Sequence, residues 1–383
     1  MTDPLSFLPE KLIMAHPHLP GSCSLRPRHI GGTSAAALCI LLLLASCSRD
    51  SPTAGEGEGT SAGAEFAALF LPPTEAEKQQ ILTSWEQPVA ASQIQIEAID
   101  TVMIASDAVV VRIVSHEVEG ERHVGAITHP VGVTDPLPVL LYCHFDVEGI
   151  QFESAVLVLT AVAGLRGGQF AYVIPAYRGQ SMRLGTRSFR SEGERSPWDG
   201  EIADAIGLLK VAWTLPETIN GRAAALGLSA GATVALLAAA REPSIEAVVD
   251  YFGPSDFFGA FSQNMLQQIV DDDIPEIRRI PLVADLLVLP WTNGRISTPQ
   301  MRLELLRRSP AQFADRLPAV LAHHGTRDDI VDQSETTRLQ TAMDGVGGQM
   351  QSWSYIGAEH SPFGMNGALA RTAQFLTDFA ASP

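Results

Sequence analysis

Five residues, Gly227-Leu228-Ser229-Ala230-Gly231, constrain this chain more than any other feature, because of what stands on either side of them. The apolar run Ala223-Ala224-Ala225-Leu226 leads in as a buried strand, and the small-residue run Ala230 to Arg241 leads out as a helix. Strand, sharp turn, helix is the setting in which the serine of a G-x-S-x-G pentapeptide takes a strained backbone conformation. Its hydroxyl is then presented at the end of the strand, above the helix N-terminus. A side chain at either glycine position would collide with the neighbouring strand or helix.

The surrounding pattern extends that unit into a fold. After a weakly helical stretch from Glu65 to Ser92, strands are predicted over Val109 to Val114 and His123 to Ile127, with Val118-Glu119-Gly120-Glu121 as the turn. Leu137 to Cys143 and Phe170 to Ile174 read as strands of a buried parallel sheet, Asp199 to Trp213 as an amphipathic helix, and Ala247 to Tyr251 as a further strand. Pro318 to Ala322 and Met350 to Ile356 complete the series. Strands alternating with helices predict an α/β fold, a mostly parallel central sheet with helices on both faces. Residues 255–315 break the alternation with helical patterns over Phe257 to Val270 and Met301 to Arg308, read as a helical cap inserted over the site. No internal repeat is visible.

A length of 383 residues accommodates one large domain with extensions, and a net charge of −17 argues against nucleic acid as a partner. Arg26, Arg28 and His29 precede an apolar stretch from Ala35 to Ala45, which has the build of a secretory signal and is too short for a membrane span. Leu44-Ala45-Ser46-Cys47 resembles a bacterial lipobox, which implies lipidation of Cys47; Ser48 after it favours the outer membrane of the cell envelope over the inner one, and a plain secretory signal, giving a secreted or periplasmic protein, is the alternative. The organisation expected is therefore a signal segment over 1–46, a flexible Ser/Gly/Glu-rich tether over 47–64 and a folded domain over 65–383. The only membrane association expected is this lipid anchor. Of the other cysteines, Cys23 and Cys39 lie in the leader and Cys143 reads as a small buried hydrophobe.

A serine hydroxyl is a weak nucleophile at neutral pH and needs a histidine base oriented by a carboxylate. Downstream of Ser229, a strand leads into His323-His324-Gly325-Thr326-Arg327-Asp328-Asp329-Ile330-Val331, and a later one into Gly357-Ala358-Glu359-His360-Ser361. That supplies serine, acid and histidine in the chain order of α/β hydrolases. The neighbours His323 and His324 have no clustered partner that would make a metal site, and read as packing for the acid loop. Asp271-Asp272-Asp273 reads as a solvated loop or helix start, with metal or cationic-substrate binding the weaker alternative.

These pieces resemble the catalytic domain of the prolyl oligopeptidase family of α/β hydrolases, over roughly residues 105–380. Ile174-Pro175-Ala176-Tyr177-Arg178-Gly179, Trp198 with Asp204, Ser309-Pro310 and His324-Gly325-Thr326-x-Asp328-x-x-Val331 carry the resemblance. It implies Ser229 as nucleophile, Asp328 as acid and His360 as base, with Asp329 and Asp332 as competing carboxylates. One oxyanion donor is expected at the Ala230 N–H. The second is expected in the loop after Leu137–Cys143, where His144-Phe145-Asp146 stands in place of the family's His-Gly-Gly; Phe145 N–H is the candidate. His144 and Tyr177 are candidate substrate-binding residues, and Arg178 is read as a turn residue or a holder of a substrate carboxylate.

The function expected is a serine hydrolase acting through an acyl-enzyme on a small ester or short peptide, with no cofactor. A carboxylesterase is favoured over a prolyl oligopeptidase-type peptidase, since the chain leaves no room for an N-terminal propeller. A catalytically inactive, lipid-anchored binding protein is the alternative of another class, motivated by the altered His144-Phe145-Asp146 loop. A lipase would call for a broader apolar cap than one mixing Arg and Asp with Leu.

Overall fold

The computed structural model describes residues 58–104, 107–163, 168–275, 277 and 279–382; Cys47 and the expected signal segment lie outside them. The chain enters through two helices, α1 (Glu58–Leu69) and α2 (Glu75–Trp85). Thr74 caps α2 in a reciprocal capping box with Glu77. The tether was expected to run to 64, but α1 begins within it. Its apolar end gives the reason: Leu69 is fully buried, and Phe66 packs against Phe70 and Trp291.

Two long antiparallel pairings follow, β1 (Ser92–Ile104) with β2 (Asp107–Val118), and β2 with β3 (Glu121–Pro130). The β2–β3 turn is two residues long, Glu119 and Gly120, with φ of 55° and 84°. Positive φ at both centres matches the twist of the strands it joins, and Gly120 adopts it without strain. β1 was not anticipated from the sequence. Its polar residues interleave with the exposed Ile94, Ile96, Ile99 and Met103, so it carries no run of apolar residues that a buried strand would show.

The parallel part contains β4 (Leu137–Cys143), β6 (Ala171–Ala176), β9 (Thr218–Leu228), β10 (Ile245–Tyr251), β11 (Ala319–Gly325) and β12 (Met350–Tyr355). Between β4 and β9 the chain also forms a small second sheet from β5 (Gly149–Gln151), β7 (Ser181–Leu184) and β8 (Arg187–Arg190). Among the described residues the main sheet has nine strands in the order β1-β2-β3-β6-β4-β9-β10-β11-β12. β9 lies between β4 and β10, with Gly227 opposite Cys143 on one side and Leu228 opposite Tyr251 on the other.

Successive side chains of these strands feed two cores. Val139, Leu141, Ala223 and Ala225 join one face with α4 (Gly200–Ala212) and α5 (Ala230–Arg241). Leu140, Tyr142, Ala224 and Leu226 join the other face with α3 (Phe152–Ala163) and α11 (Ala368–Ala381). Burial on both faces explains why these strands read as continuous apolar runs. The insertion between β10 and β11 holds α6 (Ala260–Val270), a nearly continuous helix made of α7 (Ile280–Val283), a π turn (Ala284–Val288) and α8 (Leu289–Thr292), and then α9 (Thr298–Leu306). The helical patterns expected there fall on α6 and α9. α10 (Ser334–Gly345) lies between β11 and β12.

Candidate active site

The carboxyl ends of β4, β9, β11 and β12 bring four loops to one edge of the sheet, where parallel α/β sheets hold their ligands. Ser229 follows β9 and has φ 53° and ψ −128°, a left-handed conformation costly for a residue with a side chain. The two flanking glycines show what makes the turn possible. A Cβ on Gly227 would lie 2.3 Å from the Gly231 carbonyl oxygen, and one on Gly231 would lie 2.0 Å from that of Cys143. The Ser229 N–H donates to the Tyr251 carbonyl at 2.8 Å, fastening the turn to the neighbouring strand.

Asp328 and His360 meet from the loops after β11 and β12, with His360 Nδ1 2.7 Å from Asp328 Oδ2. A carboxylate only accepts, so Nδ1 carries a proton, and in the neutral ring the lone pair is then on Nε2. The other Asp328 oxygen accepts from the Ile330 and Val331 N–H groups at 3.0 and 2.9 Å. Burial alone would raise the Asp328 pKa. The hydrogen bonds from His324 and His360 outweigh it and hold the carboxyl well below the usual carboxylate range. Of the competing carboxylates, Asp332 accepts from the Ser334 N–H. No contact of Asp329 with His360 is present among the described residues.

Phe252 links serine and histidine spatially. It follows Tyr251, which holds Ser229, and its ring lies 4.2 Å from that of His360 between centroids. Ser229 also shares the wall of a narrow cavity of about 40 Å³ with Val331, in the loop after β11. The rest of that wall is apolar and comes largely from the insertion: Phe257, Phe261, Met265, Ile277 and Ile280, with Trp198 from before α4. Sequence reading did not single out these cap side chains, since an apolar residue in a helix carries no mark of which face meets a ligand.

The two neighbouring histidines after β11 are buried and tied into packing. His323 contacts the Tyr355 and Thr372 hydroxyls at 2.8 and 3.1 Å, and burial pushes its pKa down to about 3. His324 Nε2 donates to the Val331 carbonyl at 2.9 Å and lies 3.4 Å from Asp328 Oδ2. Burial opposes charge on His324, but these partners outweigh it and raise its pKa.

Ala230 begins α5, so its N–H has no acceptor within the helix. Phe145 is half-buried at the end of β4. The expected substrate contacts differ. His144 and Tyr177 are fully buried and stacked with ring centroids 4.4 Å apart, so they support the loop from below and present no surface to a ligand. Burial, with the Arg279 charge nearby, lowers the His144 pKa to about 3, leaving it neutral. Arg178 is committed to Asp204 at 2.8 Å and Glu119 at 3.1 Å, which leaves the turn role and not the carboxylate-holding one.

The sequence reading also missed Glu201 and Arg279, a buried pair with contacts of 2.6 and 2.7 Å. Among the described residues no group of three or more His, Cys, Asp or Glu is placed to hold a metal. No helix there is long and apolar enough to cross a membrane. Asp271, Asp272 and Asp273 are exposed, and Cys143 is buried with its thiol pKa pushed up to about 12 by burial.

No family model matches the sequence, and no curated protein matches it. Solved structures do. Acetyl xylan esterase 1 from Thermoanaerobacterium sp. JW/SL YS485 is similar over 80% of this chain and 95% of its own, at 17% identity and a TM-score of 0.54. An acetyl xylan esterase from Paenibacillus sp. R4 is similar over 82% of this chain and 99% of its own, at 15% identity and a TM-score of 0.52. A puromycin-hydrolyzing peptidase of Mycobacterium tuberculosis covers 72% of this chain at 18% identity and a TM-score of 0.51, and the chain spans 46% of that protein. The fold is that of the α/β hydrolases.

Proposed function

We propose that this protein is a serine hydrolase that cleaves esters of short, apolar acyl groups through an acyl-enzyme. The observation that carries the reading is the pairing of a strained Ser229 at the β9–α5 turn with a His360–Asp328 hydrogen bond of 2.7 Å on the same edge of the sheet. In this mechanism His360 Nε2 takes the Ser229 proton as Oγ attacks the ester carbonyl. Asp328 keeps the proton on Nδ1 and stabilises the imidazolium that forms. The N–H groups of Ala230 and Phe145 receive the developing oxyanion, after which His360 protonates the departing alkoxide. Water then attacks the acyl-enzyme by the reverse proton route.

The narrow apolar cavity beside Ser229 favours a small acyl group. None of the described side chains lining it is charged, so the ammonium of a peptide N-terminus would find no counter-charge there. That supports an esterase over an aminopeptidase-like enzyme; the esterase neighbours agree in fold, while the peptidase neighbour shares it equally. Hydrolysis of p-nitrophenyl esters from acetate to octanoate, beside aminoacyl-β-naphthylamides, tests the reading. Turnover should be greatest for the shortest acyl chains. Preference for the amides would return the choice to a peptidase. Lipidation at Cys47 and a place in the cell envelope remain part of the proposal, supported by the Leu44-Ala45-Ser46-Cys47 pattern. Incorporation of labelled palmitate by the parent and not by Cys47→Ala tests them.

A further inference from the structure

Arg279 stands in the insertion between α6 and α7, with φ 75°, a left-handed conformation uncommon for a residue other than glycine. Its guanidinium is buried, and its Nη1 donates to both oxygens of Glu201 at 2.7 and 2.6 Å. Its remaining nitrogens turn to the loop after β4: Nε approaches the Phe145 carbonyl at 3.4 Å, and Nη2 the Asp146 carbonyl at 3.3 Å. The Asp146 carbonyl also accepts from Gln180 at 3.0 Å. Glu201 in turn accepts the Trp198 N–H at 3.0 Å, and the Trp198 indole N–H donates to the Ala230 carbonyl at 3.1 Å. The Arg279 guanidinium lies 5.8 Å from the Trp198 ring centre.

This network ends on Phe145 and Ala230, the residues whose N–H groups are the oxyanion donors of the proposed reaction. In each, the held carbonyl stands one Cα away from the donating nitrogen, so restraining the carbonyl limits how far the N–H can swing. Oxyanion donors act through preorganisation, because they need no reorganisation as charge develops.

We propose that Arg279 is a positioning residue of the insertion, which with Glu201 and Trp198 sets the separation and direction of the Phe145 and Ala230 donors. This rests on the serine hydrolase reading. It assigns the insertion a part in the chemistry beyond lining the acyl cavity. Buried charge pairs contribute little net stability, so geometry is the better account of why this one is here.

The test compares the full chain with Arg279→Lys and Glu201→Gln. Lysine keeps the charge pair with Glu201 but cannot reach both loop carbonyls at once. Glutamine keeps one acceptor oxygen for the Trp198 and Arg279 donors, but loses the second acceptor and the charge. Three readouts are taken: kcat and KM for p-nitrophenyl acetate, inhibition by phenylboronic acid, whose tetrahedral adduct puts an oxygen among the donors, and amide exchange over residues 144–149. For Arg279→Lys we expect kcat to fall about tenfold or more, with boronate affinity weakened in parallel. KM should stay within about twofold, and exchange over 144–149 should quicken. Glu201→Gln should show the same kcat-selective loss, and decides the matter if Arg279→Lys does not fold. Folded variants with parental kcat, or with a change confined to KM, would overturn the positioning role. Catalytic inertness of the parent itself, with exchange still quickened in Arg279→Lys, would instead overturn the hydrolase reading and leave the clamp as structure only.

Discussion

His324 Nε2 lies 3.4 Å from Asp328 Oδ2, the oxygen that also faces His360 Nδ1 at 2.7 Å. The Asp328 carboxylate is thus gripped between a buried structural histidine and the proposed base. Loss of its charge removes what fixes the His360 tautomer. Asp328→Asn should lower kcat for p-nitrophenyl acetate by roughly 10³–10⁴ with little change in the circular dichroism spectrum. The Asp328 pKa is depressed, so its contribution to stability is present above the ordinary carboxylate value and fades as pH falls through its lower folded one. Acid unfolding of Asp328→Asn should therefore begin less steeply than that of the parent. Retention of parental kcat would remove Asp328 from the mechanism.

Glu335 opens a second pH dependence, of opposite sign. Its carboxyl in α10 is fully buried and accepts from the Ser255 and Asp256 N–H groups at 2.7 and 2.9 Å, where the insertion begins. Burial raises its pKa to about 7, against those hydrogen bonds, with Asp256 adding to the rise and Arg338 opposing it. A raised carboxyl pKa means that its stabilising contribution is complete below about 4.5 and is lost as pH rises through about 7. Urea unfolding should show the parent losing up to about 3 kcal/mol from this group between those limits. Glu335→Gln should flatten that part of the profile. An unchanged slope would show that the carboxyl ionises freely in the fold.

Gly231 has no room for a methyl group, since its Cβ would sit 2.0 Å from the Cys143 carbonyl oxygen, which is backbone and cannot rotate away. Gly231→Ala should cost about 3 kcal/mol or more in a thermal melt and prise β9 from β4 at the nucleophile turn. A melting temperature within a degree of the parent would contradict the close approach.

Most of the parallel sheet, the tight turn at Ser229 and the loops that bring Asp328 and His360 together were legible in the sequence because they obey short-range rules. β4, β6, β9 and β10 are buried on both faces and announce themselves as apolar runs, and Gly227, Ser229 and Gly231 report a local steric demand. β1 was hidden, as its Ile94, Ile96 and Ile99 side chains stay exposed and serve no core. His144 and Tyr177 were read as ligand contacts, because a chain shows which residues neighbour a loop and not which side of it they face. Glu201 and Arg279 were invisible for a related reason: they lie far apart in sequence, and only the insertion folding back brings their charges together.

Phe261 is half-buried in the wall of the cavity beside Ser229. Phe261→Ala should open that wall and raise the ratio of kcat/KM for butyrate over acetate esters about tenfold. An unchanged chain-length profile would place the acyl group elsewhere.

The most direct measurement exposes the full chain to a fluorophosphonate probe and locates the adduct by mass spectrometry, beside Ser229→Ala and His360→Ala. A single adduct on Ser229 in the parent, absent from Ser229→Ala and strongly slowed in His360→Ala, is the expected result. A folded parent that takes no label, or a Ser229→Ala variant that labels as well, would contradict an acyl-enzyme at Ser229.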